Sequence, residues 1–276
     1  YVDTKSVCAA WNALWYDPDV TSRTPDDLDP VAHFENQGQL IIRSDWSEQA
    51  TVATLSCGPL AGHKAAIRYA SSDGAIPDVN INHAHIDYGA FTLFANGRYV
   101  MIPAGYGRRD SGYQNTIAIE GAPLSTDPAK RPWLGTVARN GAATFAVADF
   151  TETLAETLGV DRCQRKALFL SPDIMFLVDD IYRQRQPSRI FGRLTWNVHH
   201  DPRIHTTRTD GRICDWIHND DIDLRLHILT PSMMAWERAE QSDVTTGQAF
   251  LGRTTVCIPE WREQEMTVAA ILAPPD

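Results

Sequence analysis

The chain has 276 residues, of which 43% are hydrophobic and 22% are charged, and its formal net charge is −10. Such a composition is typical of a globular protein with one large domain or two small ones. The acidic balance argues against a nucleic-acid partner, because neutralising phosphates needs a basic face, although a local basic cluster could still bind an acidic ligand. The five cysteines are scattered without a CxxC pair, so neither a disulfide framework nor a thiolate zinc site is indicated.

No apolar run approaches the roughly 20 residues that a bilayer-spanning helix needs, so we expect no membrane partner. The chain begins at Tyr1, with neither Met nor a signal-peptide pattern, which indicates a processed or excised piece. The start of the sequence therefore does not indicate a location.

The first predicted element is a short N-terminal helix in DTKSVCAAWNALWYDP. Apolar residues from Val7 to Trp15 recur at helical spacing on one face, and Pro18 ends the pattern. The two Trp of this face could pack on the domain's own sheet, or they could belong to the last turns of a separate helical domain. The segment that follows, up to residue 30, is rich in Asp and Pro and indicates a linker.

From about residue 38 the pattern changes to short strands separated by turn residues. The predicted strands are QLIIRS, ATVATLS, AAIRYA, FTLFA, RYVMI, NTIAIE, ATFAVA, KALFLS, IMFLVDD, RIFGRLTW, RICDWIH, DIDLRLHIL, TTVCI and TVAAIL. DIDLRLHIL alternates apolar and polar residues, as in a sheet with one wet face. The only other helical candidate is residues 150–158, and no strand–helix–strand alternation appears. The sequence therefore predicts an all-β fold, a large antiparallel β-sandwich with a short N-terminal helix.

A histidine stretch, HAHIDYG at residues 83–89, concentrates titratable groups. In an extended chain His83, His85 and Asp87 point to the same face. Two imidazoles and a carboxylate could bind a divalent metal such as zinc, or a histidine could transfer protons near neutral pH. The alternative is a set of hydrated or hydrogen-bonded polar residues at the margin of a sheet.

A hairpin follows this stretch, with Asn96-Gly97 as a two-residue type I′ turn. The turn pairs Ala95 with Arg98, and an unbroken register then pairs the following residues. The further predicted pairs are Leu93 with Val100, Phe91 with Ile102, Asp87 with Tyr106 and His85 with Arg108.

The loop after the hairpin, PAGYGRRDSGYQN, would bring phenols and guanidinium groups towards the histidines. Tyr106 and Tyr113 are candidates for a proton-transferring phenol, with packing within the loop as the alternative. Arg108 and Arg109 could pair with carboxylates of an acidic ligand, with a solvated pair as the alternative. The glycine spacing of this loop matches no phosphate-binding fingerprint.

A second group of histidines lies in NVHHDPRIH, at residues 197–205. His199, His200, Asp201 and His205, with His218 nearby, fit no known metal-ligand spacing. We predict that they are solvent-facing residues around a proline turn, with a second metal cluster as the alternative.

Several of these segments together resemble the C-terminal β-sandwich part of the heparinase II/III-like polysaccharide lyases, which include oligoalginate and heparan-type lyases. The resemblance is carried by WNALWYDPDV, GQLIIRSDWSEQATVATLSCGP, HAHIDYGAFTLFANGRYVMIPAGYG, QNTIAIEG and MFLVDDI, in that order. It covers most of the chain, and the HxHxDxGxF core is its most specific motif.

The resemblance implies cleavage of a uronic-acid-containing polysaccharide by β-elimination. That chemistry needs a neutralised carboxylate, a base for the C5 proton and an acid for the leaving oxygen. The resemblance gives His83 a part in catalysis and makes His85 a zinc ligand. Its remaining catalytic groups would come from an α/α-toroid domain of the same protein.

The chain departs from the family pattern at two of the three zinc positions. Pro103 (or Ala104) stands where the family has Asp, and Gln114 stands where the family has His before Asn115. Zinc would then depend on His85 with Asp87, or with a histidine from elsewhere in the chain.

The sequence thus predicts two regions. Residues 1–30 are a helical tail and linker from a missing toroid domain, and residues 31–276 are the β-sandwich domain. The predicted function is the β-sandwich part of a lyase acting on alginate-like or glycosaminoglycan-like polysaccharide, periplasmic or secreted by resemblance. The alternative is a non-catalytic carbohydrate-binding or structural module whose metal site has decayed.

Overall fold

The structure is a computed structural model, and it describes most of the chain from residue 17 onward. The described residues are 17–21, 23–72, 81, 83–95, 97–103, 109–120, 123–141, 143–155, 159–170, 174–184, 194–200, 205–208, 213–218, 221–230, 235–242, 249–258 and 265–273. The predicted N-terminal helix, Tyr106 and Arg108 lie outside these residues.

Seventeen β-strands make up most of the described chain. They are β1 (Val31–Phe34), β2 (Gln39–Arg43), β3 (Val52–Ser56), β4 (Ala90–Ala95), β5 (Arg98–Met101), β6 (Ile117–Ile119), β7 (Trp133–Asn140), β8 (Ala143–Asp149), β9 (Arg162–Leu170), β10 (Ile174–Tyr182), β11 (Leu194–His200), β12 (His205–Arg208), β13 (Ile213–His218), β14 (Asp221–Thr230), β15 (Ala235–Ser242), β16 (Ala249–Ile258) and β17 (Glu265–Ala273). One α-helix, α1 (His63–Ser71), and the 3-10 helices Pro25–Asp27, Ser111–Tyr113 and Thr151–Thr153 complete the described elements.

The strands form two antiparallel sheets. The nine-stranded sheet runs β1-β2-β3-β4-β5-β11-β16-β15, with β6 also paired to β11. The eight-stranded sheet runs β12-β13-β14-β17-β10-β9-β8-β7. The predicted all-β sandwich is therefore confirmed. No helix in the described part of the chain is long and apolar enough to cross a membrane.

The core lies between the two sheets because alternate residues of the strands are buried. In β9 every second residue from Cys163 to Phe169 is buried, and its neighbours are partly exposed. In β14 Leu224, Leu226 and Ile228 are buried, which confirms the face predicted for DIDLRLHIL. This period of two is what positions side chains of one sheet against the other.

One predicted strand is wrong. AAIRYA lies in helix α1, whose start is held by a residue distant in sequence. The Asn36 backbone oxygen accepts the His63 N–H at 2.8 Å, and Asn36 Oδ1 accepts the Lys64 N–H at 3.0 Å. Asn36 therefore satisfies two N–H groups that a helix start leaves without partners, one through its backbone oxygen and one through its side chain. The sequence around the helix does not show this distant partner.

The predicted hairpin is correct at its turn and wrong beyond it. Ala95 pairs with Arg98 as expected, but a β-bulge makes Leu93 the partner of Met101 and not of Val100. The extra residue shifts the register, so the predicted pair of Phe91 with Ile102 does not form either. The Ile102 N–H instead donates to the His199 oxygen at 3.0 Å, which joins the hairpin to β11.

Candidate functional site

The histidine stretch is an irregular segment that leads into β4, and it is not a strand. His83 is exposed, His85 and Asp87 are partly buried, and Ile86 and Tyr88 are buried. The two apolar side chains anchor the segment to the core. Of the polar side chains in this stretch, His83 is left at the surface.

Burial changes the pKa of Asp87, the carboxyl group of this stretch. Desolvation raises the pKa of Asp87 from 3.8 to about 6, against the opposing effect of its own backbone N–H. The Ala90 N–H donates to the Asp87 backbone oxygen at 2.9 Å, which closes the turn into β4. Asp87 is thus a carboxyl group that changes charge closer to neutrality than an ordinary aspartate does.

Tyr88 ties the stretch to two neighbouring segments. Its hydroxyl donates to the Ser125 backbone oxygen at 3.2 Å, and its own backbone oxygen accepts the Thr116 hydroxyl at 2.7 Å. Burial raises the pKa of the Tyr88 hydroxyl well above its ordinary value. Tyr88 therefore has a structural place in this site, as a neutral side chain.

Arg109 clamps the turn that carries His83. Its Nε donates to the Ala84 oxygen at 2.8 Å, and its Nη2 donates to the Ile81 oxygen at 2.5 Å. The Ile86 N–H donates to the backbone oxygen of Arg109 at 2.9 Å. Both the side chain and the backbone of Arg109 thus fix the backbone at Ile81, Ala84 and Ile86.

His85 and Gln114 lie side by side. The Gln114 Nε2 is 3.3 Å from the His85 Nδ1, and the Gln114 side chain is only 1% exposed. Gln114 follows the 3-10 helix Ser111–Tyr113, which also places Tyr113 partly buried near this edge. The structure therefore brings Gln114 to the imidazole that the resemblance makes a zinc ligand. It also places Pro103 two residues after β5, partly buried.

Beneath the histidine stretch lies a buried polar network centred on Arg165 of β9. Its guanidinium donates two 2.7 Å hydrogen bonds to the Asp179 carboxylate. The same carboxylate accepts a hydrogen bond from the Trp196 Nε1–H at 2.7 Å. Arg165 Nη1 also donates to the backbone oxygens of Gly89 and Asn115, the latter at 2.9 Å. One buried cation therefore links the eight-stranded sheet to the end of the histidine stretch.

Asn115 extends this network. Its Nδ2 donates to the Phe91 oxygen at 2.8 Å, and its Oδ1 accepts the His199 N–H at 2.6 Å. Asn115 thus fastens the chain beside Gln114 to both β4 and β11.

Arg165 and Asp179 were not predicted as site residues from the sequence, and Asn115 was named there only as the residue after Gln114. The alternation in RCQRKALFL could have identified Arg165, since it places the arginine on the same face as Cys163, Ala167 and Phe169. A buried arginine requires a buried acceptor, which β10 supplies.

The prediction that the second histidine group faces solvent is wrong for His199 and His200, and the side chains of His205 and His218 lie outside the described residues. His199 is fully buried and His200 is 5% exposed. Both lie on β11, between β5 and β16, and the His199 Nδ1 is 3.2 Å from the Asn115 Oδ1. The interior position of β11 in the sheet explains their burial. Asp201 lies outside the described residues.

The described residues do not fit a zinc site. Within the part of the chain that the structure describes, no three His, Cys, Asp or Glu side chains come together closely enough to hold a metal ion. A stable zinc site needs about four nitrogen, sulfur or oxygen donors in a tetrahedral arrangement. Beside His85 the structure places the amide nitrogen of Gln114, which has no free lone pair for a metal.

A cavity of about 120 Å³ opens between the two sheets at a different place. Its walls include Val31 and Leu93 of the nine-stranded sheet and Phe169 and Met175 of the other. None of the predicted site residues lines this cavity. The candidate site is therefore the surface edge around His83 and His85.

The two-layered antiparallel sandwich has the fold of heparinase-like polysaccharide lyases, which confirms the resemblance found in the sequence at the level of fold. No family model matches the chain. Among solved structures, it is similar to the heparan sulfate lyase HepC from Pedobacter heparinus, with a TM-score of 0.67 and 16% identity over 90% of this chain and 37% of that one.

Two further structures share the arrangement. Heparinase III matches with a TM-score of 0.67 and 15% identity over 92% of this chain and 37% of its own. A xanthan lyase from Paenibacillus matches with a TM-score of 0.50 and 10% identity over 97% of this chain and 27% of its own. The chain thus spans about a third of the length of these lyases.

Proposed function

We propose that the chain is the β-sandwich part of a polysaccharide lyase that cleaves uronic-acid-containing polysaccharide by β-elimination. The observation that carries this proposal is an exposed imidazole, His83, on a turn clamped by Arg109, in a fold shared with heparan sulfate and xanthan lyases. Because these lyases are about three times longer, the proposal includes an α/α-toroid domain that completes the cleft. A periplasmic or secreted location belongs to the same proposal.

The residues divide the chemistry as follows. His83 transfers a proton at the sugar ring, since an imidazole can do so near neutral pH. Arg108 binds the uronate carboxylate, and Arg109 adds its remaining N–H groups while it holds the His83 turn. Tyr106 or Tyr113 protonates the leaving oxygen. Alginate-like and glycosaminoglycan-like chains are the substrates proposed.

The test is ultraviolet absorbance of the unsaturated uronate product, measured with the full-length protein on alginate, heparan sulfate and xanthan. We expect turnover on at least one of them, and a loss of roughly 10²–10⁴-fold in His83→Ala, which is the usual contribution of general acid–base catalysis. His63→Ala, at the start of α1, is the matched control and should retain activity. Turnover in His83→Ala equal to that of the parent would exclude His83 from the mechanism.

A second candidate function is a non-catalytic carbohydrate-binding module. The observation that favours it is Gln114 beside His85, where the resemblance expects a second imidazole. Calorimetric titration with the same polysaccharides separates the two candidates. Binding without any turnover in the full-length parent supports the module, and product formation excludes it.

A further inference from the structure

We propose that Gln114 fixes His85 in the tautomer protonated at Nε2, so that His85 is a hydrogen-bond donor to an anionic ligand and not a metal ligand. The tautomer follows from the orientation of the pair, in which the Gln114 Nε2 and not its Oε1 faces the His85 Nδ1. The role towards an anionic ligand rests on the proposed function above.

The chemistry of the two facing nitrogens determines the tautomer. An amide nitrogen carries two hydrogens and accepts no hydrogen bond, whereas a neutral imidazole has one donor nitrogen and one acceptor nitrogen. The Gln114 Nε2 lies 3.3 Å from the His85 Nδ1, so the amide donates and Nδ1 accepts. The single proton of the neutral ring must then be on Nε2.

The backbone that carries the Gln114 amide is held in place on both sides of the residue. Gln114 is almost completely buried, and its backbone N–H donates to the Ser111 oxygen at 3.1 Å. The next residue, Asn115, bonds to Phe91 and to the backbone of His199. The donor therefore belongs to a rigid part of the fold, whereas the partly exposed His85 ring is the partner that adapts.

The same geometry disfavours a metal ion on His85. An imidazole that binds a metal through one nitrogen almost always donates the N–H of the other nitrogen to an oxygen acceptor. Here Nδ1 faces a donor, so a metal at Nε2 would set two N–H groups against each other. With the Nε2 proton retained, the ring presents a neutral donor, which suits a carboxylate or a sugar hydroxyl.

The direct test is long-range proton–nitrogen NMR on the full 276-residue chain with labelled histidine, about two pH units above the ordinary pKa of histidine. His85→Gln identifies the signals of His85. We expect a pyridine-type Nδ1 and a pyrrole-type Nε2 in the parent chain. A protonated Nδ1 in the parent overturns the proposal.

Substitution at Gln114 tests the cause. In Gln114→Glu the new carboxylate accepts a proton from Nδ1, so the protonated nitrogen should switch from Nε2 to Nδ1. Gln39→Glu, an exposed change of the same charge on β2, is the matched control and should leave the tautomer as it was. An unchanged tautomer in a folded Gln114→Glu overturns the proposal. If that variant does not fold, the protonated nitrogen of His85 measured in the parent chain still decides whether the proposed tautomer is correct.

Two additions to the parent chain test the role of the ring. Stoichiometric Zn²⁺ should leave the His85 signals unshifted, and tight binding that His85→Gln abolishes would overturn the metal-free assignment. A uronate oligosaccharide should shift the Nε2 signal without changing the tautomer. A bound oligosaccharide that leaves this signal in place overturns the donor role. The absence of any binding to the full-length protein argues against the proposed function and leaves the tautomer result intact.

Discussion

Arg109 shows how one residue after the hairpin can determine the conformation of the histidine stretch. Its guanidinium bonds to the Ala84 and Ile81 oxygens, on either side of His83. A charged donor makes these bonds stronger than ordinary backbone contacts. The position of the exposed imidazole therefore depends on a side chain more than 20 residues away in sequence.

We expect Arg109→Met to lower the free energy of unfolding by about 1–3 kcal/mol, the contribution of hydrogen bonds from a charged group. Methionine keeps the apolar stem, so the loss reports on the guanidinium. Urea unfolding measures the free energy, and hydrogen exchange should show faster opening at the amides of Ala84 and Ile86.

Arg43→Met is the matched control for this change. Arg43 makes a single 3.2 Å bond to the Asp45 oxygen and stacks on Trp46 at 4.6 Å. Arg43→Met should lower the free energy of unfolding by no more than about 1 kcal/mol. If hydrogen exchange at the amides of Ala84 and Ile86 is no faster in Arg109→Met than in the parent, Arg109 does not hold the histidine stretch.

Asp180 gives a pH-dependent contribution to stability. Burial favours its neutral form, but hydrogen bonds and charges from Arg162 and Lys166 outweigh this effect and hold the pKa of Asp180 below its ordinary value. Its carboxylate lies 2.9 Å from the Arg162 Nε and 3.1 Å from the Lys166 Nζ. The folded state therefore loses protons more readily than the unfolded state does.

We expect Asp180→Asn to cost roughly 1 kcal/mol at neutral pH, because both cations are partly exposed and screened. A depressed folded pKa stabilises above the unfolded pKa of about 3.9, and the contribution is lost as the pH falls through the folded value. The stability difference between parent and variant should therefore shrink below about pH 4. Chemical unfolding at several pH values measures it, with the exposed Glu35→Gln as control. A difference that is constant down to low pH would show that the charge of Asp180 is not its cause.

At the scale of the elements, two turns that both need a left-handed glycine differ in the space around it. Gly38 precedes β2 with φ +64, and a Cβ there would lie 2.2 Å from the Cys57 backbone oxygen. Gly141 joins β7 to β8 with φ +59, and nothing lies within 4 Å of its Cβ position. Substituting each glycine in turn therefore distinguishes two costs. Both substitutions cause backbone strain, and only the one at Gly38 also causes steric overlap.

Gly141→Ala should cost about 1–2 kcal/mol, the strain of an L-residue in the left-handed region. Gly38→Ala should cost roughly 2–5 kcal/mol, because overlap with a rigid backbone adds to the same strain. Thermal and urea unfolding of the two variants measure the costs. Equal costs would mean that the Gly38 turn relaxes to accept a methyl group.

The strands that the sequence predicted and those that it missed differ in their place in the sheets. The predicted strands that are confirmed bury alternate apolar residues, as β8 and β14 do. The missed strands are β1, β7, β12 and β15, and each is the edge strand of its sheet. An edge strand has one neighbour and needs less apolar surface, so HTTR and AWERAEQS lack the alternation that identifies a strand.

Some of the contacts around the candidate site could also be predicted from the sequence, and others could not. The motif predicted a functional role for His83, His85 and Asp87, which stays a prediction, whereas the loop after the hairpin does reach this stretch through Arg109. The predicted register was wrong for Leu93 and Phe91, since a single bulge near Leu93 shifts the pairing there. The predicted pairs of Asp87 with Tyr106 and of His85 with Arg108 involve residues outside the described ones. Contacts such as Gln114 with His85 depend on tertiary packing, and no spacing rule in the sequence indicates them.

At the scale of the whole molecule, the Arg165 network fastens the two sheets to each other. Arg165 and Asp179 belong to the eight-stranded sheet, while Trp196 lies on β11 of the other sheet. The guanidinium also lies 5.4 Å from the Phe91 ring and 5.7 Å from the Trp196 ring. Both ions are almost completely buried, so each depends on the other for compensation of its charge.

We expect Arg165→Met to lower the free energy of unfolding by about 3–5 kcal/mol, because it leaves the Asp179 carboxylate buried without its cation. Arg139→Met is the matched control, since it breaks an exposed pair with Asp29 and should change stability little. Adding Asp179→Leu to Arg165→Met should recover part of the loss by removing the stranded charge. Recovery should be incomplete, because the Gly89 and Asn115 oxygens lose a donor and the Trp196 N–H loses its acceptor. Urea unfolding of all four chains measures these differences. A loss in Arg165→Met as small as that in Arg139→Met would mean that the sheets hold together through apolar packing alone, and the histidine stretch would then owe its position to Arg109 and Tyr88.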